Sequence, residues 1–252
     1  YCEMLNKCDI KAGDEINVVV PTGNFGNILA AYYAKEMGVP IKKLVCASNA
    51  NNVLTDFLRT GTYNRVRDFY TTVSPSMDIL ISSNLERLLF LLSGMDDAIV
   101  REWMGELSSK GSYKVSGDVF AKLSELFDAG CCDDNGTKAC IAKEFNEHKY
   151  LCDTHTAVAV SVYEDYAKRT GDTTPTVIAS TANPFKFSKA VLDAVRPGMT
   201  ENLDEFEMVT ALHDETGEVC PPQLANLKGK TPRFTGCCRK EDMEQVVFDL
   251  LK

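Results

Sequence analysis

No stretch of this chain approaches the ~20 consecutive apolar residues that a membrane-crossing helix needs. Histidine is scarce, with three residues that stand far apart, so no metal-binding set is spelled out. Ten cysteines are present but no C-x-x-C; the adjacent pairs Cys131-Cys132 and Cys237-Cys238 have neither zinc-site nor redox spacing, and reduced thiols are expected. Cations are in deficit, 27 Lys and Arg against 36 Asp and Glu, for a net charge of −9. A nucleic-acid or anionic-membrane surface needs a concentrated basic patch, so both partners are excluded and a small-molecule ligand is expected. Together these absences point to a cytoplasmic protein.

Two phosphate motifs are missing as well. The G-x-x-x-x-G-K-[ST] loop does not occur, nor does G-x-G-x-x-G with an acid about 20 residues later. Gly23 and Gly26 stand in another pattern. Ile16-Asn17-Val18-Val19-Val20 reads as a short buried strand, Pro21-Thr22-Gly23-Asn24-Phe25-Gly26-Asn27 as a tight turn, and Ile28-Leu29-Ala30-Ala31-Tyr32-Tyr33-Ala34 as the body of a helix. The unpaired N–H groups and the dipole of a helix start attract phosphate. Asn24 and Asn27 add amide donors beside the exposed backbone, which suits an anion better than turn formation alone.

A chain of 252 residues, 44% apolar and 25% charged, is ample for a packed core. Strand and helix signals alternate at first: a helix near 24–38, a strand at Lys43-Leu44-Val45-Cys46-Ala47, then a helix near 52–60. This β-α-β-α order implies a parallel sheet with helices on its faces. From about 82 to 150 the signals read as helices only, at 82–93, 96–109, 117–128 and 137–149, an all-helical insertion with its loop-like stretch around Gly130 to Gly136. Leu85, Leu88, Leu89 and Leu92 share one helical face and read as core. A helix at 156–169, a strand Thr176-Val177-Ile178-Ala179-Ser180 and a helix at 184–195 follow, then two more helices near 201–212 and 239–252. The expected division is an α/β domain over 1–200 and a helical extension over 201–252. Ligands in open α/β sheets bind beyond the carboxyl ends of the strands, and the polar runs at 23–27, 47–52 and 180–184 all follow strands.

The run Pro-Thr-Gly-Asn-Phe-Gly-Asn resembles the phosphate loop of pyridoxal-phosphate enzymes of the tryptophan-synthase-β fold (fold type II), and more narrowly that of threonine synthase. Four further runs are similar to the bacterial and fungal form of that family, in the same order: Ser48-Asn49-Ala50-Asn51-Asn52-Val53-Leu54, Ser74-Pro75-Ser76-Met77-Asp78-Ile79 through Ser82-Ser83-Asn84-Leu85-Glu86-Arg87, Asp153-Thr154-His155-Thr156-Ala157, and Ser180-Thr181-Ala182-Asn183-Pro184-Phe185-Lys186-Phe187. The resemblance covers positions 1 to about 195 well and the remainder loosely.

The resemblance implies pyridoxal 5'-phosphate as cofactor, bound by Gly23, Asn24, Phe25, Gly26 and Asn27, with Thr181 meeting the pyridine nitrogen. Ser180 is the alternative for that role, and a helix N-cap is the alternative role for Thr181. It implies conversion of O-phospho-L-homoserine and water to L-threonine and phosphate, with Asn52, Ser82, Ser83, Asn84, Arg87 and His155 as candidate substrate contacts. For Ser82 to Arg87 an N-cap followed by solvated charge is the competing reading, and for His155 a structural histidine. The lysine that carries the cofactor lies upstream of the phosphate loop in this family. Lys186 falls outside that pattern, and the opening residues Tyr1 to Lys7 read as mid-helix without a start methionine or cap, so the chain is expected to be the C-terminal part of a longer enzyme and inactive without the remainder. Asn183, Phe185 and Thr154 replace the His, Ala and Pro of many relatives, which bears on substrate contacts rather than on the cofactor. Another fold-type-II lyase or dehydratase, or a non-catalytic phosphate-binding module, are the alternative functions.

Overall fold

A computed structural model of the chain describes residues 1–251. Four parallel strands form the central sheet in the order β5-β2-β1-β6: β1 Ile16–Pro21, β2 Ile41–Ser48, β5 Phe127–Cys131 and β6 Thr176–Ile178. Two short strands, β3 Thr62–Asn64 and β4 Ser112–Lys114, pair antiparallel beside it. The helices are α1 Cys2–Lys7, α2 Gly26–Glu36, α3 Val53–Thr60, α4 Leu85–Leu92, α5 Asp97–Lys110, α6 Gly117–Leu126, α7 Asp134–His148, α8 Thr154–Thr170, α9 Ser188–Val195, α10 Glu205–Thr216, α11 Pro222–Ala225 and α12 Met243–Leu250.

Burial on both sheet faces explains the near-continuous apolar runs of β1 and β2, as parallel strands require. Val20, Leu44, Cys46, Phe127 and Ala129 face one core, which also holds Phe25, Ile28 and Phe57 from the helices. The alternate residues Val19, Val45 and Ala47 face a second core with Val158, Ala159 and Val162 of α8. A third core, built from Ile141, Leu192, Met208 and Leu212, joins α7, α9 and α10. The face expected for 82–93 is the one observed, with Leu85, Leu88, Leu89 and Leu92 all buried. In contrast, α12 buries none of its residues.

The all-helical reading of 82–150 is corrected here. Phe127–Cys131 is a sheet strand paired with Leu44–Ser48, and Ser112–Lys114 pairs with Thr62–Asn64. Asp128 and Gly130 are weak strand formers, so neighbours supply the strand character through tertiary pairing. The last strand is shorter than the sequence suggests, ending at Ile178 rather than Ser180.

All ten cysteines are unpaired thiols. Burial raises the thiol pKa of Cys46 and of Cys140 to about 12, and also pushes those of Cys132 and Cys152 upward.

Helix α8 lies so close to β5 that a Cβ on Gly130 would stand 2.8 Å from Val162 Cγ1, and Val162 is itself buried at 3% exposure. Gly130→Ala is therefore expected to cost about 1–3 kcal/mol, as overpacked cores do. A urea unfolding midpoint that stays at the parent value would contradict this close packing.

Candidate functional site

Because the four strands are parallel, their carboxyl ends share one edge, and the loops after β1 and β6 meet there. Thr22 fixes the first loop at its root, donating its N–H to Ala47 O at 2.8 Å and its hydroxyl to Val20 O at 2.7 Å. Gly23 has no room for a side chain, since a Cβ would stand 2.8 Å from Ser76 O. Phe25 carries φ 63, the left-handed region, at a cost of roughly 1–2 kcal/mol for a residue with a Cβ. Its ring is 1% exposed and packs 5.9 Å from the Phe127 ring, and that burial offsets the strain.

The chain then enters α2 with its amides open. None of the N–H groups from Gly23 to Ile28 has a protein acceptor among the described residues, and α2 carries no acidic residue in its first turn. These are the unmatched donors of a helix start, on the positive end of its dipole. They border a cavity of about 280 Å³ lined by Thr22 to Asn27, Ser76, Met77, His155, Thr181, Ala182 and Lys186. Its donor set suits a phosphate group, so the residues fit the group that the sequence implies.

One wall descends from a buried carboxylate. Asp153 is 0% exposed and caps α8, accepting from His155 N at 2.8 Å, Thr156 N at 3.3 Å, His155 Nδ1 at 3.2 Å and the Thr156 hydroxyl. Burial acts to raise its pKa, but the hydrogen bonds from His155 and Thr156 outweigh that and hold the carboxyl below its usual range. With Nδ1–H given to Asp153, Nε2 of His155 accepts from Ser76 N at 3.2 Å, so the network assigns a neutral imidazole with both nitrogens occupied. His155 thus lines the cavity while fastening the segment that presses on Gly23. With its proton on Asp153, the Thr156 hydroxyl accepts from Ser180 Oγ at 3.2 Å, whereas Thr181 makes no such link and lines the cavity. The cap of the turn at Pro184–Phe187 is Asn183, which accepts from Phe185 N at 3.0 Å, so Thr181 does not serve as an N-cap.

The start of α4 braces the loop from outside the cavity. Ser82 Oγ donates to Gly23 O at 2.9 Å, and Asn84 donates to Asn24 O from Nδ2 at 2.7 Å and from N at 3.2 Å. Both residues hold the loop from behind. Arg87 is exposed and donates to Asn84 Oδ1 at 2.7 Å, and Asn52, Ser82, Ser83, Asn84 and Arg87 all stand outside the cavity lining, which of the candidate substrate contacts holds only His155. Asn52 accepts from Arg67 Nη1 at 3.0 Å, beside the Arg67–Asp56 ion pair.

The segment 72–78, which carries Ser76, is tied to the end of β2. Asn49 Nδ2 donates to Asp78 Oδ1 at 2.7 Å, Asn51 Nδ2 to the same oxygen at 3.1 Å, and Thr72 N to Asp78 Oδ2 at 2.9 Å. Sequence reasoning missed two groups. Ser76 supplies the backbone that packs on Gly23, and Lys186, weighed only as a cofactor-bearing lysine, lines the cavity as its one cation among the described residues. The signal for Lys186 is Pro184, which opens the turn at Pro184–Phe187 just past the last strand. Among the described residues no group of three or more His, Cys, Asp and Glu could hold a metal ion, and no helix is long and apolar enough to cross a membrane.

Asp153→Asn is expected to lower stability by about 1.5–3 kcal/mol at pH 7, the range for hydrogen bonds to a charged group. Its depressed native pKa means the carboxylate contributes fully above the unfolded value of about 4 and loses that contribution as pH falls through the native value. The gap between parent and variant should therefore narrow below pH 4, and unfolding curves at pH 7 and pH 3 measure it.

Residues 156–247 match the family model described as threonine synthase, C-terminal. Human threonine synthase-like 1 is 43% identical over 198 residues, covering 78% of this chain and 26% of that protein. The crystal structure of threonine synthase from yeast superposes with a TM-score of 0.81 at 33% identity, over 99% of this chain and 49% of that one. PLP-bound threonine synthase from Brucella melitensis gives a TM-score of 0.70 at 36% identity, over 86% and 44%. The chain spans less than half the length of each of these relatives. The ordered motifs, the parallel sheet and these likenesses agree: the chain belongs to the threonine synthase family of pyridoxal-phosphate-fold enzymes and corresponds to its C-terminal portion.

Proposed function

We propose that this chain carries the phosphate-binding part of a pyridoxal 5'-phosphate site and serves the conversion of O-phospho-L-homoserine and water to L-threonine and phosphate. The observation that carries this reading is the row of unpaired amides from Gly23 to Asn27, bordering one cavity together with Thr181 and Lys186. The amides of Asn24, Phe25, Gly26 and Asn27 bind the phosphate, and Lys186 balances its charge. Asn24 and Asn27 add exposed side-chain amides at the same loop.

The Thr181 hydroxyl is the group assigned to the pyridine nitrogen, where a neutral partner leaves that nitrogen unprotonated. When bound, the cofactor supplies carbanion stabilisation, and the protein supplies its position. Buried Phe25 and Met77 line the cavity and keep water from its floor. The amine that holds the cofactor covalently and moves substrate protons is assigned to a lysine upstream of this region, in keeping with the resemblance, and not to Lys186. The remaining partner is then the N-terminal part of the same enzyme.

Two measurements test the reading. Pyridoxal phosphate should bind the chain at least tenfold more tightly than pyridoxal, and Lys186→Met should weaken it by about three- to tenfold, the worth of one exposed charge-assisted contact. Absorbance titration reads both, and equal affinity for pyridoxal would remove the phosphate cradle. Threonine formation from O-phosphohomoserine with added cofactor should be undetectable for these 252 residues alone, since a general acid–base group is worth about 10²–10⁴ in rate. Turnover that disappears in Lys186→Ala would make Lys186 the reactive lysine instead.

A further inference from the structure

The way the loop spends its carbonyls carries an inference that rests on the phosphate-binding reading above. A trans peptide is planar and points its C=O and the following N–H in opposite directions. The carbonyls of Gly23 and Asn24 are turned toward the start of α4, onto Ser82 Oγ and onto both donors of Asn84. The amides of Asn24 and Phe25, which share those peptide planes, are consequently turned the other way and have no protein acceptor among the described residues.

This orientation is not the backbone's own preference. Phe25 is held at φ 63, and a half-turn of the Asn24–Phe25 peptide would return it to a negative φ that any residue adopts. The same half-turn would aim the Asn24 carbonyl where its neighbour's N–H now points, exchanging a donor for an acceptor. A phosphate tolerates the first and is repelled by the second. Asn84 opposes the turn. At the N-cap position of α4 its Oδ1 accepts from Arg87 Nη1 at 2.7 Å rather than from a helix N–H, and its Nδ2 donates to Asn24 O at 2.7 Å.

We propose that Asn84, assisted by Ser82, is a positioning residue that locks the Asn24–Phe25 peptide with its N–H toward the anion, against the strain stored at Phe25. Two arrangements of one peptide, biased by one side chain, decide whether the loop is an anion cradle. Neither side chain needs to touch the ligand for this role.

The test compares the full chain with Asn84→Ala, Ser82→Ala and, as a control on the same helix turn, Glu86→Ala. Inorganic phosphate and pyridoxal phosphate are titrated separately, and the ¹⁵N–¹H resonance of Phe25 is followed without ligand. Asn84→Ala should raise the Kd for both ligands about tenfold and displace the Phe25 resonance, while loss of the bonds to Asn24 O and from Arg87 lowers the melting temperature by only a few degrees. Ser82→Ala should show a smaller, two- to fourfold effect, and Glu86→Ala none. Parent-like affinity in Asn84→Ala with the Phe25 resonance unmoved would overturn the proposal. A parent that binds neither ligand would instead defeat the phosphate reading, and the Phe25 resonance would still decide whether Asn84 sets the peptide.

Discussion

The buried carboxylate of Asp153 is the interaction on which most of this edge of the molecule depends. An ionised group at 0% exposure is tolerable only if its oxygens are hydrogen-bonded, and here four donors from two successive residues satisfy it. The consequence runs outward in order. Asp153 caps α8, the helix that closes one sheet face; it orients His155, His155 fastens Ser76, and Ser76 leaves Gly23 no space for a side chain. A single charge thus couples the packing of the sheet to the shape of a loop on its rim.

The phosphate loop itself is shaped by two opposing demands. Burial draws the Phe25 ring into the core beside Phe127, while its backbone stands in the left-handed region that a residue with a Cβ disfavours. The strain is sustained because neighbours over-determine it, with Thr22 anchoring the loop's root and Asn84 its crest. Around it, Asn49, Asn51 and Asp78 tie the 72–78 segment to the end of β2, so the walls of the cavity stand on sheet ends rather than on free loop.

How much of this was legible differs by residue. The strand, turn and helix around Gly23 were readable because local signals agree: a β-branched run, two glycines three apart and an apolar helix stripe. The Leu85, Leu88, Leu89 and Leu92 face was readable from spacing alone. Strand Phe127–Cys131 was not, because Asp128 and Gly130 disfavour strands and only the pairing with Leu44 to Ser48 makes one. At the site, Thr181 was expected from the family resemblance, and it lines the cavity. Ser82 and Asn84 were expected to face a substrate, whereas the structure turns their donors onto loop carbonyls, since sequence carries no sign of which partner a helix-start amide will find. Lys186 was weighed for one chemistry only, and its place beside the loop depends on how the Pro184 turn folds back across the rim.

The thiols described with the fold give the molecule an uneven chemical surface. Burial suppresses the thiolate form at Cys46, Cys132, Cys140 and Cys152, while Cys2, Cys8, Cys131, Cys237 and Cys238 are exposed. Electrophiles and peroxides therefore meet the chain at its two termini and at the end of β5, and spare the interior beneath the cavity. The protein is in effect pre-masked for selective labelling: a fluorophore or spin label on Cys131, at the carboxyl end of β5, would sit at the sheet edge without entering the sheet that supports it.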